Sequence, residues 1–281
     1  MKNIVVGIDF SKNSENALRH GVAVVLKTNA KLHIVWVKNP ASGEKLGATD
    51  DNHMLELAQA KLAELEKISR TEAPGHEINS VILEGKPYLK IAQYAENLPE
   101  SLLIVGSHGA SGFEEMFVGS NTMKIVGLSK VPVLIIGSHV QINRDLTKVL
   151  LPIDTSFETL QKVKFSCEIA KAFSAKVSLL GICMPCTSET RHIINVQLNN
   201  AANICDGMNV RYSASTIDVR GSFADSVVTW AKNEDVNLIA IMREEEDDIT
   251  SFWLASNTRQ LMNFAPMPLL VIPNVNHAPV R

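Results

Sequence analysis

The chain has 281 residues, 46% hydrophobic and 20% charged, the make-up of an ordinary folded protein about two domains long. Its net charge of −3 argues against a dedicated nucleic-acid surface, which needs a basic field. No apolar run approaches the ~20 residues that span a bilayer, the N-terminus has no signal-peptide layout, and all four cysteines fall in the second half. No disulfide framework is therefore expected across the chain, and a reducing cytoplasm is the expected setting.

Ile4–Ile8 is a short β-branched run, which reads as a strand. Ser14–Thr28 carries Ala17, Leu18, Gly21, Val22 and Val25 at helical spacing, and Lys31–Val37 reads as a second strand. Asp51–Ser69 is a long amphipathic helix with Leu55, Ala58, Leu62 and Leu65 on one stripe. Ile78–Leu83 follows as a strand, Tyr88–Asn97 as a helix and Leu102–Val105 as a strand. Thr122–Leu128 is a helix and Val133–Ile136 a fifth strand. Strands joined by helices run parallel, with helices on both faces.

The pattern then repeats. Asn3-Ile-Val-Val-Gly-Ile-Asp9-Phe-Ser11 matches Lys148-Val-Leu-Leu-Pro-Ile-Asp154-Thr-Ser156 at an offset of 145. Val131-Pro132-Val-Leu-Ile-Ile136 matches Met267-Pro268-Leu-Leu-Val-Ile272 at an offset of 136, which Gly85 and Gly221 share. The second copy is thus shorter in its middle. The expected fold is α/β: two tandem Rossmann-like doubly wound domains, residues 1–141 and 145–281, each with a five-stranded parallel sheet. The apolar fifth strand of each half is a potential pairing edge. An intramolecular pseudo-twofold pair of domains is expected, with a homodimer as a further possibility.

Ligands of open parallel sheets bind beyond the carboxyl ends of the strands, at the switch point. Three segments lie there: Asp9, Val37 to Pro40, and the long loop from Gly106 to Gly119. In that loop Gly106 and Gly109 are followed by Gly112, and Gly119-Ser120-Asn121 opens a helix. Glycine admits a phosphate close to the backbone and tolerates positive φ. The unpaired N–H groups of a helix start favour an anion, and Ser120 and Asn121 add hydroxyl and amide donors. The ordinary reading is that these are turn glycines with Ser120 as a helix cap, and that Asp9 caps the first helix. No Gly-x4-Gly-Lys-Ser/Thr loop exists, and strand 1 lacks Gly-x-Gly-x2-Gly, so a P-loop enzyme or a dinucleotide enzyme is disfavoured.

The spacing Gly-x2-Gly-x9-Gly-Ser resembles the ATP-binding signature of the universal stress protein family. The likeness extends to Val-Gly-Ile-Asp9-Phe-Ser and to the Pro-Val-Leu-Ile-Ile strand, and it covers the chain as a tandem pair. The resemblance implies a cytoplasmic stress-response protein that binds ATP, ADP or AMP, with magnesium a potential companion ion. It would place Asp9 at the adenine or ribose and the Val37 backbone at the adenine. Gly106, Gly109, Gly119, Ser120 and Asn121 would hold ribose and phosphates, with His108 inside the loop.

At the 136 offset the second half carries Met242, Glu245 and Ala255 in place of Gly106, Gly109 and Gly119, although Ser256-Asn257 survive. Glu244-Glu-Glu-Asp-Asp248 adds five carboxylates, which repel polyphosphate. One nucleotide per chain is expected. A slow ATP hydrolase or phosphotransferase is the competing reading; it needs a base and a cation, for which His108 and Lys124 are the candidates. A third reading is a redox or zinc role for Cys183-Met-Pro-Cys186, with Cys205 and His192 as further potential ligands.

Overall fold

The inner strands of the first half each lie between two parallel neighbours. The computed structural model describes residues 1–40, 42–107, 118–137, 140, 146–243 and 256–274. The chain divides into two units, residues 1–144 and 145–281. In the first unit β1 (Asn3–Ile8), β2 (Lys31–Lys38), β3 (Ile78–Glu84), β4 (Ser101–Gly106) and β5 (Val133–Ile136) pair in the order β3-β2-β1-β4-β5, all parallel. Helices α1 (Lys12–Thr28), α2 (Ser42–Leu46), α3 (Asp51–Glu72), α4 (Pro87–Glu96) and α5 (Ser120–Leu128) make the connections. The strand order reverses between β1 and β4, so the switch point lies beyond their carboxyl ends.

The local chemistry explains the helix limits. Ser11 caps α1, its Oγ accepting from the Ser14 N–H, and Asn29 ends the helix in the left-handed conformation at φ 56°. Asp50 caps α3 by accepting from the N–H groups of Asn52 and His53. Every residue of β4 is buried, as expected of a strand covered on both faces.

The second unit repeats this frame with β6 (Lys148–Ile153), β7 (Lys176–Cys183), β8 (Tyr212–Asp218), β9 (Leu238–Met242) and β10 (Leu269–Ile272) in the parallel order β8-β7-β6-β9-β10. A 3-10 turn, Phe157–Leu160, leads into α6 (Gln161–Ala172), and α7 (Ser188–Gly207), α8 (Phe223–Asn233) and α9 (Ser256–Phe264) complete it. The register supports both offsets: Asn3 pairs with Lys31 as Lys148 does with Lys176, and Gly106 pairs with Ile136 as Met242 does with Ile272. Most of the shortening falls in one place. Residues 39–50, including α2, separate β2 from α3, whereas residues 184–187 alone separate β7 from α7. Among the described residues, no helix is long and apolar enough to cross a membrane.

Candidate functional site

At the switch point of the first unit the structure brings Asp9, Val37, Gly106, Gly119, Ser120 and Asn121 to one cleft of about 320 Å³. That volume lies at the lower end of the ~300–1,000 Å³ typical of small-molecule sites. His108, Gly109 and Gly112 lie outside the described residues. The apolar wall includes Ile8, Trp36, Leu46, Ile91 and Val105. Phe10 and Asn39 also line it. Among the described residues, Asp9 is the one charged side chain in the lining.

Each residue is positioned by an identifiable device. The Ser11 N–H and hydroxyl both donate to Asp9 Oδ1, at 3.2 and 2.6 Å. Asp9 thus braces Ser11, the residue that caps α1. The Asp9 N–H donates to Ser14 Oγ at 3.2 Å, closing the turn. Phe10 in between adopts φ 61° and its ring lies 5.9 Å from that of Trp36. Lys61 Nζ is 5.4 Å from the centre of the Phe10 ring, a cation–π distance. At the end of β2, the Val37 carbonyl accepts from Asn39 Nδ2 at 3.1 Å, and Asn39 Nδ2 also donates to Ser42 Oγ at 2.8 Å. The short helix α2 thus borders the cleft, with Ser42 and Leu46 in its lining.

The other end of the cleft is built by β4 and α5. The Gly119 N–H donates to the Ser107 carbonyl at 2.7 Å, and the Ser107 N–H to the Ile136 carbonyl at 2.8 Å. Thr122 Oγ1 donates to the Gly106 carbonyl at 2.8 Å. The cap of α5 is Gly119 rather than Ser120, and it has no side-chain cap bond. The first N–H groups of the helix consequently lack a capping side chain, as an anion site requires. Gly119 has φ −61° and ψ 147°, an extended conformation open to any residue, so positive φ does not account for it. Gly106 has a packing reason: a Cβ there would lie 2.8 Å from Asn13 Nδ2 and 3.1 Å from the Asn13 carbonyl oxygen.

Lys124, the cation that phosphotransfer would need, is placed elsewhere. Its Nζ lies 4.9 Å from the centre of the Tyr88 ring, and it does not line the cleft. Lys124 and Ser120 share a helix face, but from the second turn Ile125 lines the cleft and Lys124 does not.

The second unit keeps a cleft of about 480 Å³ at the matching place, with a different lining. Asp154 is braced as Asp9 is: its N–H donates to Thr159 Oγ1 at 3.2 Å and its Oδ1 accepts from Ser156 N–H at 2.8 Å and from the Ser156 hydroxyl. Glu158, Lys162, Met242 and Arg243 line this cleft as well. Lys162 is 2% exposed and donates to Thr159 Oγ1 at 2.8 Å. It takes the place that Ala17 has in α1, and sequence reading missed it because one lysine in a helical stretch reads as surface. Glu245, Ala255 and the acidic run 244–248 lie outside the described residues.

Cys183 and Cys186 are joined as a disulfide. Cys205 and His192, the further ligands considered for the zinc alternative, are not grouped with this pair. Cys205 is buried against Cys167, with sulfurs 3.6 Å apart. Asp218 joins the pair within 4.8 Å, while His192 does not. Arg191 takes up the remaining corner, its Nη2 3.1 Å from Cys186 Sγ and 2.8 and 3.0 Å from the Asp218 oxygens. A guanidinium in that corner opposes a second cation.

A model described as the universal stress protein family matches residues 1–137 and again residues 146–273. Universal stress protein YxiE of Bacillus subtilis is 31% identical over 143 residues, which cover 47% of this chain and 97% of that protein. A universal stress protein of Methanocaldococcus jannaschii is 26% identical over 140 residues, covering 48% of this chain and 81% of its own length. Among solved structures, a universal stress protein from Archaeoglobus fulgidus has a TM-score of 0.77 at 17% identity, with 97% of this chain and 98% of that one covered. The last likeness concerns the fold.

Proposed function

This chain belongs to the universal stress protein family as a tandem member, and from that premise we propose that its first half binds an adenine nucleotide, ATP or a relative, as the input of a stress-responsive regulator. The observation that carries the reading is the meeting of Asp9, Val37, Gly106, Gly119, Ser120 and Asn121 on one cleft at the switch point. The apolar wall of Ile8, Trp36, Val37 and Ile91 suits a flat base. Asp9 offers a carboxylate to ribose hydroxyls. The phosphates meet the start of α5, where backbone N–H groups and the Ser120 and Asn121 side chains donate to anions.

The reading is of binding rather than turnover. Phosphoryl transfer depends on a cationic clamp and a placed nucleophile, and Lys124 is engaged over Tyr88 instead. The second half serves as a partner domain that does not bind nucleotide. In place of Gly106 it carries Met242, and Glu158 adds a second carboxylate beside Asp154. The test is mass spectrometry of small molecules that co-purify with the wild-type chain and with Gly119→Asp. An adenine nucleotide with the first and none with the second is the expected outcome. Retention by the variant, or no binding by the wild type at millimolar ATP, ADP or AMP, would overturn the reading.

A further inference from the structure

We propose that Cys183 and Cys186 are a reversible thiol–disulfide couple that exchanges with an external dithiol through the Cys186 sulfur. The inference is independent of the nucleotide reading. Its first support is the asymmetry of the pair: Cys183 is buried at the end of β7, while Cys186 is exposed in the loop beyond. An incoming thiolate can therefore reach one sulfur of the bond and not the other. The second support is the setting of Cys186. It precedes Thr187, the cap of the 20-residue helix α7, where the helix dipole favours a negative sulfur. Arg191 Nη2 is 3.1 Å from that sulfur, a second positive influence.

Asp218 opposes them. It stands opposite Cys183 in the β7–β8 register, and its Oδ1 is 3.3 Å from Cys186 Sγ. Arg191 links the two, pairing with Asp218 while touching the sulfur. The thiolate is thus stabilised by one neighbour and destabilised by the other. A purely structural staple is a poor account of the bond. It closes a loop with only two residues between its cysteines, and short loops gain least from cross-linking.

The exchange balances as follows. A thiolate of the external dithiol attacks Cys186 Sγ, forming a mixed disulfide. The Cys183–Cys186 bond breaks and its electron pair leaves on Cys183 Sγ, which takes up a proton. The second external thiol, as thiolate, then attacks the external sulfur of the mixed disulfide. Cys186 leaves as a thiolate beside Arg191 and is protonated in turn. Two electrons and two protons pass from the dithiol to the pair, and the dithiol becomes a disulfide.

The test counts thiols in the folded full-length chain. The protein is equilibrated with mixtures of reduced and oxidised dithiothreitol, alkylated with iodoacetamide and mapped by mass spectrometry. Cys183 and Cys186 should pass together from disulfide-bonded to alkylated as the reduced fraction rises, with Cys186 alkylated first, while buried Cys167 and Cys205 react only after unfolding. In the reduced chain, Arg191→Gln should slow alkylation of Cys186 roughly threefold and Asp218→Asn should speed it by a similar factor, the size expected for half-exposed charges. Opposite signs are a readout that a structural role would not give. A bond that opens only when the chain unfolds would overturn the proposal. So would four thiols under every oxidant tried, or equal effects of the two variants.

Discussion

Asp9 and Asp154 are braced by the same serine two residues on, and each borders a cleft at the same point of the same frame. Beyond them the clefts diverge. The first sets an apolar wall against an uncapped helix start, with one carboxylate and no described cation in its lining. The second is larger and holds Asp154, Glu158, Lys162 and Arg243. The difference teaches that a duplicated fold can keep a cleft at one place in both copies while changing its lining. The frame is set by strand register and helix caps, which both halves keep. The ligand is set by a few positions where a side chain replaces backbone or a charge replaces a neutral donor.

The largest expected effect comes from placing a carboxylate where the proposed phosphates would lie. Gly119→Asp should lower nucleotide affinity by about 100-fold or more, on the order of 3 kcal/mol, because like charges a few ångströms apart repel strongly near a protein surface. The same change should leave the fold intact and raise its stability by a few tenths of a kcal/mol, since aspartate is a better helix cap than glycine. The backbone at Gly119 accepts it. Calorimetric titration and thermal melting check the two halves of that expectation. Loss of binding together with loss of folding would contradict it.

Gly106→Met would install the second half's residue in the first. The new Cβ would press on Asn13 at 2.8 Å, so stability should fall by about 1–3 kcal/mol and nucleotide binding should fall with it. Denaturant unfolding measures the first and titration the second. Unchanged stability would show that Asn13 can yield.

His20 gives a contrast in pH. Burial, partly offset by a hydrogen bond to the Val140 backbone, lowers its pKa from 6.5 to about 4; its Nε2 has no partner among the described residues. At the 145 offset the second half has Phe165. In the unfolded chain His20 takes a proton near its ordinary pKa, while the folded chain resists. This contribution to stability is therefore present above about pH 6.5 and is lost as pH falls from 6.5 toward about 4. Wild type should lose about 1 kcal/mol more than His20→Phe between pH 7 and pH 5.5. Parallel pH profiles would contradict the buried neutral histidine.

The smallest effect is the reverse swap. Met242→Gly should cost the second half about 1 kcal/mol or less, since Met242 is only half-buried. It should create no second nucleotide site, because Glu158 and Lys162 remain in the cleft. A second binding event in this variant would show that one glycine, and not the charged lining, separates the halves.

Much of this frame was legible in the sequence because its elements are long or strongly patterned. The fifteen residues read as the first helix and the short β-branched strand runs leave little choice of structure. The glycine loop was legible as a position, and the switch point gave it a direction. Trp36 was not, because every residue from Leu32 to Val37 is buried and such a strand shows no alternation to tell which face meets a cleft. Helix α2 was missed because five residues cannot display a helical period. Phe10 reached the cleft through a left-handed backbone that its residue type does not announce. At Cys183 and Cys186 the spacing fits a metal or a disulfide equally; Arg191, in the first turns of the next helix, and Asp218, from another strand, make the difference.

The most direct test of the contrast between the halves is the number of nucleotides bound per chain. Isothermal titration calorimetry of the intact protein, stripped of bound small molecules, should give one site for an adenine nucleotide, and Gly119→Asp should abolish it. Two equivalent sites, or one site that survives Gly119→Asp, would contradict the account.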